Sequence, residues 1–384
     1  MPNNTLEKWE EKPFEKCIEN IQYTNKIPKK DFKDNGLYPI ISQEDEFING
    51  YWNDKKDLFI IKKPVVIFGD HTKKVKYIDF DFVLGADGVK IISTIDNILP
   101  KYMYYYLQNI QLRDLGYARH YKLLKEKFIQ YPNIHEQQRI VGILDEAFKN
   151  IEKAKQNALQ NLNNAKELFE IESNNIFEQL LNKYEPIKMS EIANLITKGA
   201  SPKWQGFKYC EKGKDSILFI TSENVGKEEL ILENKKYLNK SFNAKQQRSI
   251  LEKGDILTNI VGASIGRTTI FDIDELCNIN QAVCLIRLKD KKQNKYVTKY
   301  MNSNCAIKSM TGMIKDCARA NVSLTNIADL YVPLPIPEEQ QKIVAQLDEL
   351  QEQTKKLEQI YEQRIKDLDE LKQSILQKAF NGKL

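Results

Sequence analysis

Histidine is nearly missing from this chain of 384 residues, with only His71, His120 and His135 present. Six cysteines, at 17, 210, 277, 284, 305 and 317, lie scattered with no C-x-x-C pair among them. Structural zinc needs closely spaced Cys and His ligands, so no metal site is expected, and reduced cytosolic thiols are. No apolar run approaches the ~20 residues of a membrane span. The opening "MPNNTLEKWEEK" has no apolar signal core, so a cytoplasmic protein without membrane contact is expected. Catalytic signatures are missing too: there is no G-x-S-x-G, no H-E-x-x-H, no P-loop, and no G-x-G-x-x-G between a strand and a helix. "GDH" at 69–71 has no nucleophile and orienting acid in a recognisable pattern near it. "VGASIG" at 261–266 sits between two strand-like runs and reads as a tight turn. No catalytic residue is expected.

What the chain does have is a repeated phrase. "IHEQQRIVGILDEA" at 134–147 returns as "PEEQQKIVAQLDEL" at 337–350. Aligning Glu136-Gln137-Gln138 with Glu339-Gln340-Gln341 gives an offset of 203, at which Ile140/Ile343, Val141/Val344, Leu144/Leu347, Asp145/Asp348 and Glu146/Glu349 also agree. A period of half the chain signals a duplicated module and not a solenoid.

Each copy opens a long helical pattern. The first has apolar steps at Ile140, Leu144, Ala147, Ile151, Ala154, Ala158, Leu162, Ala165 and Phe169. The second has them at Ile343, Leu347, Leu350, Leu357, Tyr361, Leu368, Leu371 and Ile375, with Thr354 and Arg364 filling the gaps. Alternating steps of three and four are the seam of a coiled coil. Asn133 with Glu136 three residues on forms a capping-box pattern, Pro337 suits the first helical position, and Asn381-Gly382 is a stop. Each helix should run for about 45 residues, or 65–70 Å, and the two should pair antiparallel.

The remaining segments, 1–132 and 185–335, contain short strand-like runs punctuated by Gly, Asp and Asn. They correspond in order: "NKIPKKDF" with "TKGASPKWQGF", "YPIISQEDE" with "ILFITSENV", "KPVVIFGDHTKKVKYI" with "GDILTNIVGASIGRTTIF". Pattern is kept far better than identity. The expected plan is an α/β (α+β) chain with a pseudo-two-fold repeat: a globular domain at 1–132, a helix at 133–184, a second domain at 185–335 and a second helix at 336–384.

Basic and polar residues gather at the turns. The first domain has Lys29, Lys30, His71, Lys73, Lys74, Lys76, Arg119, His120, Lys122 and Lys125; the second has Ser201, Lys203, Trp204, Lys208, Arg267, Arg319 and Asn321. Such side chains on strand-connecting loops are equipped for phosphate contact and base-edge readout. The net charge of +5 permits a polyanion partner without requiring one. Two such heads held by a helical spacer would suit two half-sites on DNA.

At "VPLPIPEEQQKIVAQLDEL" (332–350), "IQYPNIHEQQRIVGILDEA" (129–147), "GDHTKKVKYIDFDFVLGADGVK" (69–90) and "TKGASPKW" (197–204), the chain resembles the specificity subunit of type I restriction–modification systems, over essentially its full length. The resemblance implies that each globular segment is a target recognition domain reading one part of a bipartite double-stranded DNA site. It implies that the helices act as spacers and dock two modification subunits, with Glu136, Gln137, Gln138, Ile140, Leu144, Glu339, Gln340, Gln341, Ile343 and Leu347 as candidate spacer and docking residues. Adenine methylation with S-adenosylmethionine, and ATP- and Mg-dependent translocation and cleavage, would then belong to the modification and restriction subunits, with no cofactor on this chain. The chain itself carries no D-P-P-Y or N-P-P-F motif. Two other readings stay open: a coiled-coil scaffold without sequence-specific DNA binding, and the specificity subunit of a fused restriction–methylation enzyme.

Overall fold

The computed structural model describes residues 9–85, 88–114, 116, 118–312 and 321–384. The chain divides into two compact units, residues 1–159 with 362–384, and residues 160–361. Each unit therefore takes a globular head and one part of each long helix. The long helices run Ile134–Lys183 and Pro337–Phe380.

The first unit is built on two small sheets. In one, the strand Tyr38–Ile41 pairs antiparallel with Gly50–Trp52 and parallel with Phe82–Gly85. In the other, Val65–Gly69 lies between Val75–Ile78 and Val89–Ile92, antiparallel to both. The second unit repeats this order. Its strand Ser216–Ile220 pairs antiparallel with Lys236–Asn239 and parallel with Cys277–Ile279. Its strand Ile256–Asn259 lies between Thr268–Ile270 and Val283–Leu288, again antiparallel to both. The loose correspondence in sequence is thus a shared strand topology. Mixed pairing with buried, Val- and Ile-rich strands is what produces an α/β head from such short runs.

A two-stranded ribbon leads into each long helix: Glu10–Pro13 with Phe128–Tyr131, and Ile187–Lys188 with Tyr331–Val332. A helix in each head anchors this ribbon with two tyrosines four residues apart. Tyr102 donates to the Gln130 carbonyl (2.9 Å) and Tyr106 to the Phe128 carbonyl (3.3 Å). Tyr296 donates to the Pro333 carbonyl (2.5 Å) and Tyr300 to the Tyr331 carbonyl (2.6 Å). The accepting pairs, Gln130/Pro333 and Phe128/Tyr331, stand at the same offset of 203 as the repeated phrase. Spacing of four puts both hydroxyls on one helix face.

Each tyrosine pair also packs on a phenylalanine from the closing turns of a long helix. In the first unit it is Phe380, 5.3 and 5.1 Å from the rings of Tyr102 and Tyr106. In the second it is Phe177, 5.9 and 5.3 Å from Tyr296 and Tyr300. Phe177 and Phe380 are again 203 apart. Around them, Ile140 and Leu144 share a core with Leu376 and Ala379 in the first unit, and Leu180 shares one with Ile343 and Leu347 in the second. Within each unit the beginning of one helix meets the end of the other, so the pairing is antiparallel.

The expected seam needs two corrections. Leu357 and Leu371 are exposed (37% and 47%), while Thr354 is buried and Ile365, not Arg364, is the half-buried step. Thr354 tolerates burial because its hydroxyl donates back to the Leu350 carbonyl (3.0 Å). At the start of the first helix, Asn133 accepts the Glu136 N–H (2.9 Å), while the Glu136 carboxylate grips Arg139 (2.7 Å). The second helix ends on Gly382 (φ +66°), with Gly382 N–H on Ala379 and Lys383 N–H on Lys378, a Schellman stop.

The repeated Glu-Gln-Gln acquires a physical meaning. Gln137 is buried, donating to the carbonyls of Pro132 (2.8 Å) and Asn97 (2.9 Å) and accepting the Leu99 N–H (2.8 Å). Gln340, also buried, donates to the Pro335 carbonyl (2.7 Å). The first glutamine of each phrase folds back five residues and satisfies a carbonyl before the helix. Gln137, Gln340, Ile140, Leu144, Ile343 and Leu347 therefore serve the interior of their own units and offer no docking surface. Gln138 and Gln341 are exposed, and Glu136 and Glu339 are half-buried.

Candidate nucleic-acid interface

In the first head, the parallel strands Tyr38–Ile41 and Phe82–Gly85 finish at the same end, joined there by Lys26–Ile27. The segments that leave this end clasp the hairpin turn 70–74. Gln43 organises the clasp: its carbonyl accepts the Thr72 hydroxyl (2.7 Å) and its side chain accepts the His71 N–H (3.1 Å). Gly88 (φ +98°) lets Gln43 approach, since a Cβ there would lie 2.7 Å from Gln43 Oε1. From the other side, Asp70 accepts the N–H groups of His120 (2.7 Å, on its carbonyl) and Tyr121 (2.8 Å, on its carboxylate).

His71 is half-buried in the turn 70–74, and the other candidate residues of this head separate into three groups. Lys76 and His120 are buried, which removes both from a DNA-facing set. The Lys76 ammonium donates to the Glu46 carbonyl and to Asn49 Oδ1 (3.3 Å), and burial pulls its pKa down to about 8. The His120 ring lies against the Asp70 carbonyl (3.1 Å). Three lysines are already paired, Lys29 with Glu44 (3.2 Å) and Lys74 with Asp45 (2.5 Å) at exposed positions and half-buried Lys73 with Asp114 (3.2 Å). Lys73 also holds an uncommon positive φ of 59°. Lys125, likewise, pairs with Glu15 (2.8 Å). Lys30, Arg119 and Lys122 are exposed. The surface is therefore a mixture of signs, with fewer open cations than the sequence suggests.

In the second head, the strands Ala193–Lys198 and Ile256–Asn259 both end beside the start of Val283–Leu288, with Lys198 opposite Cys284 and Asn259 opposite Val283. Three segments leave this end together. One is 199–208, which begins at Gly199, where a Cβ would fall 1.8 Å from the Ile279 carbonyl. The second is the turn 260–267, with Gly262 (φ +78°) and Gly266 (φ +86°), so "VGASIG" is the turn its glycines predict. The third is Asn321, bridged to Val261. Lys203, Trp204, Lys208, Arg267 and Asn321 are exposed and Ser201 is half-buried. Arg319 lies outside the described residues. Trp204 is 88% exposed, the largest such value among the exposed apolar side chains of the described residues.

Two ionic clusters lie outside the candidate set. Arg287 makes a two-pronged contact with buried Asp255 (2.7 and 2.8 Å) and reaches Glu252 (2.6 Å). Buried Lys299 spans Glu228 and Asp348, each at 2.7 Å, tying the second head to the long helix Pro337–Phe380. The first head has a counterpart in Lys101 with Asp145 (2.9 Å). The identity Asp145/Asp348 was the available signal. Among the described residues no three His, Cys, Asp or Glu side chains gather as a metal-holding group, and no helix is long and apolar enough to cross a membrane.

Doubled heads of one topology, each with loops drawn to one sheet end and set on paired helices, define a class of two-headed, internally duplicated protein. The chain belongs to the type I restriction modification DNA specificity domain family, whose model matches residues 7–161 and 181–367. It is 31% identical over 172 residues to the type I restriction enzyme EcoBI specificity subunit of Escherichia coli, covering 44% of this chain and 36% of that one. It is 33% identical over 87 residues to the EcoR124I/EcoR124II specificity subunit of the same organism, covering 22% of each. The matches thus span about a third and about a fifth of those relatives' lengths. Among solved structures, a chain of a type I R-M system matches with a TM-score of 0.70 at 16% identity, covering 98% of both chains. The HsdS subunit from Thermoanaerobacter tengcongensis matches with 0.61 at 17% identity, covering 98% of this chain and 97% of that one. At these identities the likeness is one of fold.

Proposed function

We propose that this chain is the DNA-specificity subunit of a type I restriction–modification complex, with each head reading one half of a bipartite target. The observation that carries the reading is the contrast inside the duplication. Strand topology, tyrosine anchors and helix starts agree between the units, while the loops at the sheet ends differ in sequence and charge. Heads that present different side chains from one scaffold suit half-sites of different sequence. In this reading the chain is not itself catalytic. It directs adenine-N6 methylation by modification subunits using S-adenosylmethionine, and ATP- and Mg-dependent restriction by restriction subunits. A flipped adenine would be received by the modification subunit while this chain holds the duplex in register.

The experiment is a methylome of the host with and without the gene. One bipartite N6-methyladenine motif that disappears on deletion is expected. A motif set unchanged by deletion contradicts the reading and returns the chain to a scaffold role.

A further inference from the structure

The two heads share one short turn whose tip differs. In the first head, Pro28 precedes a 3-10 turn at Lys29–Asp31, and Phe32 follows it. In the second, Pro202 precedes a 3-10 turn at Lys203–Gln205, and Gly206 (φ +82°) and Phe207 follow. The hydrogen bonds repeat. Asp31 N–H donates to the Pro28 carbonyl (2.9 Å) and Phe32 N–H to that of Lys29 (3.3 Å). Gln205 N–H donates to the Pro202 carbonyl (3.0 Å) and Gly206 N–H to that of Lys203 (3.2 Å).

Each turn is seated by its phenylalanine on the apolar face of the mixed three-strand core. Phe32 packs on Ile27, Ile40 and Val83. Phe207 packs on the cluster of Ile217, Phe219, Leu238 and Phe242, with its ring 5.2 Å from that of Phe242. Lys245 adds a bond to the Gln205 carbonyl (3.3 Å). The seats match, and the tips they present are Lys30 and Trp204.

Trp204 stands out among the three tryptophans. Trp52 donates its indole N–H to Asp57 (2.9 Å) and Trp9 packs against the core of the first unit. Trp204 is left 88% exposed on a turn fixed from both sides. An indole held in water forgoes burial of some 200 Å² of surface, on the order of what aromatic side chains bury. Exposed Lys203 and Lys208 flank it, and the turn 260–267 with Arg267 leaves the same sheet end. A planar apolar face beside Lys203, on a segment that also carries exposed Lys208, fits a nucleobase between phosphates better than it fits a protein surface.

We propose that Trp204 is a specificity-determining residue of the second head, its indole taking an apolar base surface of that half-site, while Lys30 takes a phosphate at the equivalent place in the first head. This rests on the DNA-specificity reading above. The base surface is either a thymine methyl in the major groove or the face of a base levered out of its stack.

The test uses the purified complex of this chain with its modification subunits, on duplex carrying the motif found in the methylome. Trp204→Ala should weaken binding by roughly five- to a hundredfold with no change in salt slope, and Trp204→Phe should restore most of the loss. Lys30→Ala should instead lower the log–log salt slope by about 0.9. Uracil replacing thymine in the second half-site reproduces the Trp204→Ala loss if the methyl is read. A 2-aminopurine signal lost in Trp204→Ala marks an unstacked base. Trp204→Ala binding that equals wild type on wild-type target sequence overturns the inference alone, as does failure of Trp204→Ala to assemble with the modification subunits. Wild-type complex that binds all sequences equally overturns the functional reading and this inference with it.

Discussion

The two heads differ most where they face outward and least where they meet their helices. Tyr102 and Tyr106 in one, and Tyr296 and Tyr300 in the other, donate to carbonyls separated by the same 203 residues. At the sheet ends the agreement stops. The first head closes its loops with carboxylates, since Glu44, Asp45 and Asp114 each neutralise a lysine. The second leaves Lys203, Trp204 and Arg267 open to solvent. The duplicated module keeps the parts that join each head to the long helices and changes the parts that face solvent at the sheet ends.

The strongest way to break this comparison is through the phenylalanines. Phe177→Ala and Phe380→Ala should each cost about 3–5 kcal/mol, because each empties the floor beneath one tyrosine pair. Hydrogen exchange should place the Phe177 loss in residues 160–361 and the Phe380 loss in the other unit. A loss shared evenly by both units for either variant would contradict the equivalence.

The glutamines sharpen it. Gln137 makes three bonds to the main chain and Gln340 makes one to the Pro335 carbonyl. Substitution by alanine should cost about 1–3 kcal/mol at 137 and about 1 kcal/mol at 340, read by chemical denaturation. Equal losses would mean that the extra bonds of Gln137 add nothing.

On DNA, Lys203→Ala should lower the salt slope by about 0.9, as loss of one phosphate contact requires. Lys73→Ala should change it less, since Lys73 is already paired with Asp114 at 3.2 Å. A larger change at Lys73 would show that DNA displaces Asp114.

The smallest effect is a dependence on pH. Burial lowers the Lys76 pKa to about 8, so between that value and the ordinary lysine range the unfolded chain binds more protons than the folded one. Stability of the first head should therefore rise with pH across that window and flatten above it. The second head has buried Thr269, which carries no ionisable group, at the matching place on its hairpin strand. Lys76→Met should abolish the rise, and a rise that survives in Lys76→Met would assign it elsewhere.

Much of the architecture was legible because helix seams and strand alternation are local. The long helices, the duplicated order of strands and the glycine turn at 261–266 all follow from spacing. The tyrosine anchors were not, because their partners lie far along the chain and a Tyr-x-x-x-Tyr pattern on a short helix looks like ordinary core. Periodicity placed Leu371 on the seam, yet the structure turns it out and buries Leu368 and Leu376, because packing selects among neighbouring apolar residues. Among candidate DNA contacts, residue type could not separate buried Lys76 and His120 from exposed Lys30 and Arg119. Nor could it show that the turn tips Lys30 and Trp204 are equivalent, since the match lies in hydrogen bonds and a phenylalanine seat.

The measurement that bears most directly on the central claim is a methylome after residues 185–335 are exchanged for the matching segment of another family member. A motif in which one half-site changes and the other is untouched is expected. A motif changed in both halves, or in neither, would contradict that claim.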